Sequence, residues 1–227
     1  MNVEDFNITI VGLGLIGGSF ALALRKLNPK KIWAVDIDVE ALKKAEDAGI
    51  IDKGYKDGKI PLKQSDLVIV AIYPKYFLSF IEDNKDNFKK GAILTDVCGI
   101  KSGIVSNVLK IIPEYIDFIP GHPMAGREYK GLDYAKVDMF SNANYIIVPL
   151  ENNKEENIKF IENMAYSIGC KNVSRLGIEQ HDDIIAYVSH LPHILAFALI
   201  NSRPNKRVYK LVGSSFRGAT RVALINS

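Results

Sequence analysis

Histidine is the side chain best able to move a proton near neutrality. The 227-residue chain holds four, all in its second half: His122, His181, His190 and His193. His122 sits in Pro120-Gly121-His122-Pro123-Met124-Ala125-Gly126, directly after an apolar strand candidate. The flanking glycines and the adjacent proline describe a stiff loop open to close approach. His122 is therefore the candidate base or hydrogen-bond acceptor, with a packing or capping histidine as the alternative. His190 and His193 lie in Ser189-His190-Leu191-Pro192-His193, a spacing that can put both imidazoles on one helical face. No acidic or cysteine cluster accompanies them, so substrate contact or helix packing is favoured over a metal site. Arg217 and Arg221 stand four apart in Phe216-Arg217-Gly218-Ala219-Thr220-Arg221. Their guanidinium forks suit a carboxylate ligand; two solvated helix arginines are the alternative. Cys98, just after Thr95-Asp96, either lines a pocket or fills the core as a small hydrophobe.

These groups need a scaffold, and the first forty residues describe one. Ile8-Thr9-Ile10-Val11-Gly12-Leu13-Gly14-Leu15-Ile16-Gly17 joins a β-branched run to an apolar helical stretch, Ile16 to Leu27. Asp36 closes the next strand candidate, Lys31-Ile32-Trp33-Ala34-Val35-Asp36. Strand, glycine turn, helix and acid together form the dinucleotide-binding fingerprint. Gly12 allows the tight turn, Gly14 lets backbone approach a pyrophosphate, and Gly17 lets the helix pack on the strand. The helix N-terminus around Leu15 and Ile16 offers free N–H groups to the phosphates. Asp36 can accept hydrogen bonds from ribose hydroxyls and repel a 2′-phosphate. Ile37, Asp38, Val39 and Glu40 follow with no arginine, so NAD is preferred to NADP; the glycines alone do not separate NAD from FAD. Asp38, ahead of the periodic stretch Val39 to Ala48, is the better helix N-cap. Ligands bind outside the carboxyl ends of strands in open α/β sheets. His122 would then lie beside a nicotinamide, able to take an alcohol proton as hydride leaves.

Further strands are expected at Leu67 to Ala71, Ala92 to Thr95, Phe118 to Pro120, Tyr145 to Val148 and Lys171 to Ser174. Helices are expected at Pro74 to Phe88, Lys101 to Lys110 and Lys154 to Ile168. Ile60-Pro61 and Lys63 to Ser65 read as a loop, and Gly121 to Asn144 as a long connection of the kind that often carries function. Such alternation implies an α/β fold: a Rossmann-type, doubly wound, mostly parallel sheet over residues 1–174. From about residue 175 the pattern turns helical. Asp182 to Ala186 and Ile194 to Ile200 are apolar on one side with Pro192 between them, and Val208 to Ile225 is broken at Gly213 and Gly218. The region 175–227 reads as a smaller all-helical unit, incomplete in itself. Roughly 50 residues make a marginal core, so it needs the first domain, a partner chain or further residues to pack against.

Hydrophobic content of 48% and charged content of 24% are those of a soluble globular protein. A net charge of +3 without a long basic run argues against nucleic acid. The apolar stretches are broken well short of a membrane span, so no membrane partner is expected. The start Met1-Asn2-Val3-Glu4-Asp5 lacks the basic residues of a signal peptide, and two cysteines make no disulfide framework. A cytoplasmic setting is expected.

Five ordered motifs carry a resemblance that runs from residue 8 to about 223. They are Gly12-Leu13-Gly14-Leu15-Ile16-Gly17-Gly18-Ser19, Thr95-Asp96-Val97-Cys98-Gly99-Ile100-Lys101, Gly121 to Glu128 with Gly131 following, Ser189 to His193, and Gly213 to Arg221. In these the chain resembles the prephenate dehydrogenase family of tyrosine biosynthesis. The resemblance implies NAD-dependent oxidative decarboxylation of prephenate to 4-hydroxyphenylpyruvate, or of the sister substrate arogenate to tyrosine. It implies a homodimer. It gives His122 the ring hydroxyl, His193 and neighbouring His190 substrate contacts, and Arg221 with Arg217 a substrate carboxylate. The Cys98-Gly99 segment would lie at the nicotinamide and substrate. Many members carry a serine there, so this chain lacks that hydroxyl, and many carry an aspartate where Gly218 stands. Members usually continue through further helices that build the dimer and close the site. Rival readings are a dehydrogenase or reductase of another small acid, and a regulatory module that binds NAD without turnover.

Overall fold

A computed structural model describes residues 1–126, 129–202 and 211–224. Arg127 and Glu128 of the third motif lie outside the described residues, as do parts of the expected final segment, 208–210 and 225–227.

The fingerprint folds as its glycines dictate. β1 (Asn7–Val11) turns into α1 (Leu15–Arg25), and β2 (Lys31–Val35) returns parallel to β1. Gly12 sits at φ +89°, where L side chains are strained, and a Cβ there would lie 2.6 Å from the Ala71 carbonyl oxygen. A Cβ on Gly17 would lie 1.8 Å from the Gly12 carbonyl oxygen, so only glycine lets α1 sit this close to the turn. Asp38 caps α2 (Val39–Asp47), its carboxylate accepting the amides of Glu40 and Ala41.

The remaining large-sheet elements are β3 (Lys53–Tyr55), β4 (Leu67–Val70), α3 (Pro74–Asn84), β5 (Ile93–Asp96), α4 (Ser102–Ile111) and β6 (Asp117–Phe118). The strands run parallel in the order β3-β2-β1-β4-β5-β6, the doubly wound arrangement. The sheet is buried on both faces, which explains its near-continuous apolar strands. Leu67 and Ile69 of β4 face a core shared with Phe20 and Leu24 of α1. Val68 and Val70 face the opposite core, with Phe77 and Ile81 of α3 and Val105 and Val108 of α4.

Several expectations need correction. The strands expected at 145–148 and 171–174 do not extend the large sheet. They form a separate sheet, β7 (Gly121–Pro123), β8 (Asn144–Ile147) and β9 (Asn172–Arg175), with β7 antiparallel to β8. His122 is therefore a strand residue opposite Ile146, not a loop residue. α3 ends at Asn84 and passes into a 3-10 turn, Lys85–Asn87. α5 (Glu155–Ser167) packs its Phe160 ring on Phe6, at 4.2 Å between centroids.

The helical region begins with α6 (Ile178–Ile185), runs through a π turn (Ala186–His190) and continues as α7 (Leu191–Ser202). Pro192 does not break this helix. A proline lacks an N–H and crowds the carbonyl four residues back; the wider π turn lies directly before it. The two apolar stretches merge into one 25-residue helix, Ile178–Ser202, whose most apolar 18-residue window has a mean hydropathy of 1.6, long and apolar enough to cross a membrane by length and composition alone. The interruption expected between the two apolar stretches is absent, because the helix runs on through Pro192. Tyr187, Ile194 and Leu195 are among its exposed apolar side chains, at 72%, 62% and 60% exposure. α8 (Ser214–Thr220) packs against α7 and leads into a 3-10 turn, Arg221–Leu224.

Two of the three fingerprint glycines, Gly17 and Gly14, should respond differently to an added Cβ. Gly17→Ala should lower the unfolding free energy in urea by about 1–3 kcal/mol through overpacking. A Cβ on Gly14 meets nothing within 4 Å, so Gly14→Ala should stay within about 0.5 kcal/mol of the parent. Equal losses in the two variants would contradict this packing.

Candidate active site

The site grows from the carboxyl end of β5, where Asp96 and Lys101 are both fully buried. Lys101 Nζ donates to Asp96 Oδ2 at 2.6 Å and to the Gly121 carbonyl at 2.6 Å. The Asp96 carboxylate also accepts the amides of Cys98 (2.8 Å) and Gly121 (3.3 Å). Buried charges persist only when paired and fully hydrogen-bonded. Here that pairing ties the start of β7 to the end of β5. Gly121 is required at the junction, since a Cβ would lie 2.5 Å from the Tyr145 hydroxyl.

The next residue is His122. Its Nδ1 lies 2.9 Å from His181 Nε2, and His181 Nδ1 lies 2.7 Å from Asp182 Oδ1. Asp182 in turn accepts the amides of Lys101 and Ser102, each at 2.9 Å, and the Ser102 hydroxyl at 2.5 Å. One carboxylate on α6 thus satisfies free amides at the start of α4 and anchors the two-histidine chain. Burial pushes the Asp182 pKa up, but the Ser102 donors, His181 and the Lys101 amide outweigh it and hold it well below the usual carboxylate range. Burial, and then the Lys101 ammonium, lower the His122 pKa to about 3, and burial also lowers that of His181. Both imidazoles are neutral at pH 7. His122 Nε2 makes no hydrogen bond among the described residues. It lies 3.6 Å from where a side chain on Gly99 would begin. That space is open because position 99 has no side chain.

The nucleotide end is equally specific. Asp36 accepts the Leu13 amide at 2.6 Å and the Asp38 amide at 2.9 Å, so it both shapes the glycine turn and points a carboxylate at the cleft beside it. The cleft, of about 500 Å³, is lined by Gly12, Asp36, Ile37, Ile72, Tyr76 and Phe80 among others. Apolar walls, the Asp36 carboxylate beside the glycine turn and open space above Gly14 fit an adenosine and its diphosphate. Leu15 and Ile16 open α1 there. The chain leaving His122 crosses the same helix. The Lys136 amide donates to Ser19 Oγ at 3.0 Å, and Leu132 and Ala135 pack over Gly18. Base and nucleotide turn thus share the carboxyl edge of the sheet.

Other expected residues are placed less uniformly. Cys98 is buried in the core behind β5. It packs in the apolar cluster with Val68 and Val70, and burial, then the charge of Asp96, pushes its thiol up to about 12. His190 ends the π turn and is near enough to His122 to act on it electrostatically. His193 Nδ1 donates to the Ser189 carbonyl at 2.7 Å, leaving its Nε2 for a ligand. Arg217 on α8 and Arg221 at the following 3-10 turn lie on the segment packed against α7. No hydrogen bond joins Arg217 to the His122 cluster among the described residues. No group of three or more metal-ligating side chains occurs among the described residues. Sequence reasoning gave no role to Asp96, Lys101, Ser102, His181 or Asp182. The adjacent His181-Asp182 pair and the lysine five residues after Asp96 were the available signals.

The neutral His122 has a consequence for stability. An unfolded histidine binds its proton near pH 6.5. The folded state resists protonation until about pH 3. The unfolded chain therefore carries the extra proton between these values, and stability falls as the pH drops below about 6.5. His122→Asn should remove about 2 kcal/mol of that loss at pH 5. The check is urea unfolding at pH 7.5 and 5 for both proteins; identical pH slopes would contradict a buried neutral His122.

Comparison with known proteins gives this geometry its family. The nucleotide-binding domain of prephenate dehydrogenase matches residues 20–174, and the dimerization domain of prephenate dehydrogenase matches 178–226. The first match starts beyond the glycine turn, which stands on its geometry alone. Prephenate dehydrogenase of Bacillus subtilis is 32% identical over 98% of this chain and 62% of its own length. The chain thus spans about three-fifths of that relative. Cyclohexadienyl dehydrogenase of Zymomonas mobilis is 27% identical over 96% of this chain and 76% of its own. Among solved structures, A. aeolicus prephenate dehydrogenase in complex with hydroxyphenyl propionate and NAD+ superposes with a TM-score of 0.87 and 29% identity. The match covers 100% of this chain and 79% of that one. Synechocystis arogenate dehydrogenase follows at 0.82 and 28%, covering 95% and 78%. The sheet order, the glycine turn and both domain matches agree: the chain belongs to the prephenate dehydrogenase family.

Proposed function

We propose that this chain acts as an NAD-dependent prephenate dehydrogenase, oxidising the ring alcohol with loss of carbon dioxide to give 4-hydroxyphenylpyruvate. The observation that carries this reading is the bare Nε2 of a neutral His122, facing open space beside Gly99 at the carboxyl edge of a nucleotide-binding sheet. Gly12, Gly14, Gly17 and the amides of Leu15 and Ile16 would hold the diphosphate, Asp36 the ribose, and the Cys98 backbone the nicotinamide end. Bound NAD would supply the hydride acceptor. His122 accepts the proton of the ring hydroxyl, and aromatisation of the ring drives the loss of carbon dioxide. His190 and His193 contact substrate, Gly99 leaves it room, and Arg217 with Arg221 pair with a carboxylate.

Residues 1–174 serve in this reading as the nucleotide unit and 175–227 as the substrate and dimer unit. The apolar surface of the 178–202 helix is covered by a second copy. Its first turns argue against a membrane role, because they bury His181 and bind Asp182 to α4. A homodimer in the cytoplasm, without nucleic acid, is the working form. Arogenate is the second substrate reading, favoured by the likeness to the Synechocystis arogenate dehydrogenase.

Mixing the chain with NAD and either acid should produce the absorbance of reduced nicotinamide with one or both. No reduction with either contradicts the activity. His122→Asn should cut turnover by roughly two to four orders of magnitude with NAD still bound. The acid limb of kcat/KM should fall well below pH 6.5, because His122 is unprotonated there; a limb at 6.5 would count against His122 as the base. Arg221→Ala should weaken substrate binding by about 1.5–3 kcal/mol, read as a raised KM with little change in the affinity for NAD. An unchanged KM removes Arg221 from the carboxylate site.

A further inference from the structure

We infer that His181 is a positioning residue that fixes the tautomer of His122, so that the nitrogen facing the substrate space is always the one with the lone pair. As a statement about catalysis this rests on the activity proposed above; as a statement about protons it stands on the geometry alone.

The proton positions are set from Asp182 inward. Its carboxylate is ionised and can only accept hydrogen bonds, and it already takes those of the Lys101 amide, the Ser102 amide and the Ser102 hydroxyl. The 2.7 Å contact with His181 Nδ1 therefore requires a proton on that nitrogen. A neutral imidazole carries a single N–H, so His181 Nε2 is an acceptor. The 2.9 Å contact between His181 Nε2 and His122 Nδ1 then requires the proton on His122 Nδ1. His122 Nε2 is left bare. Free histidine in water favours the opposite form, with the proton on Nε2, in which His122 would be a donor toward substrate and no base.

The charged and titratable groups around His122 support the neutral pair. Lys101, at the start of α4, opposes a positive imidazole and is itself bound to Asp96 of β5. His190 of the π turn opposes it as well, while Asp182 of α6 favours it from behind His181. When Nε2 takes a proton, the new cation lies at the head of a hydrogen-bonded chain that ends on the Asp182 carboxylate. His181 is fully buried, so water cannot replace it as the acceptor for Nδ1.

The direct test is the ring-nitrogen NMR spectrum of the full, 15N-labelled chain at pH 7. With only four histidines, single variants assign every ring. The expected result is the Nδ1–H tautomer for both His122 and His181. An Nε2–H tautomer at His122 in the unaltered chain overturns the inference, and that measurement needs no variant to fold. In His181→Ala, or the better-filled His181→Gln, His122 should lose its single tautomer in the alanine variant and retain it wherever the glutamine oxygen accepts from Nδ1. Kinetically, His181→Ala should lower kcat roughly 10²- to 10³-fold with little change in KM, and glutamine should recover part of the loss. A His181→Ala protein that folds and turns over normally overturns the inference while leaving the activity intact. An unaltered chain that oxidises neither ring acid overturns the activity, and the nitrogen spectrum still decides the tautomer.

Discussion

The arrangement depends on one buried ion pair, Lys101 with Asp96. Removing two charges from water costs several kcal/mol per ion, and only near-complete hydrogen bonding offsets it. That bonding is present. The ammonium is shared between Asp96 and the Gly121 carbonyl, and the carboxylate collects the amides of Cys98 and Gly121. The pair therefore acts as a clasp between the large sheet and the first strand of the small one. It also sets the electrostatics one residue further on, because the Lys101 charge joins burial in keeping the His122 imidazole neutral. Position and protonation state of the candidate base thus have a common physical origin.

The helical region contributes chemistry as well as bulk. Asp182 lies on α6, yet its partners are the first residues of α4 and the histidine chain that reaches β7. A carboxylate at a helix N-terminus is favoured by the free amides and the helix dipole. Here that preference joins α6 to α4 at the place where His122 is anchored. Sites at the carboxyl edge of α/β sheets are commonly completed by another unit in this way. Beyond Asp182 and His181 the same helix turns apolar on nearly all sides, which asks for cover from outside the described residues.

The parts of this molecule legible in the sequence are those whose signal is local. The glycine turn, its flanking strand and helix, Asp36 and the Asp38 cap each follow from residues within a few positions of one another. Gly12 takes the positive φ of a tight turn and Gly17 the close helix–strand approach that their spacing implied, while a Cβ on Gly14 would meet nothing within 4 Å. What escaped was non-local. β3 and β7 have three residues each, too short for an alternating pattern, and they exist because β2 and β8 offer edges to pair with. The clasp joins residues twenty apart, and the histidine chain joins residues fifty-nine apart. His181 was marked only by its neighbour Asp182, a signal that does not name His122 as its partner. The merging of α6 and α7 depended on a π turn before Pro192, where the sequence alone suggested an interruption.

The central claim is that His122 presents an unprotonated Nε2 to a ring hydroxyl at the nucleotide edge. The most direct measurement is a crystal structure of this chain with NAD and a hydroxyphenyl propionate. The account predicts the ring hydroxyl within about 2.6–3.2 Å of His122 Nε2, beside Gly99, with His122 Nδ1 still on His181. A ring hydroxyl held elsewhere, with His122 Nε2 turned away from it, would contradict it.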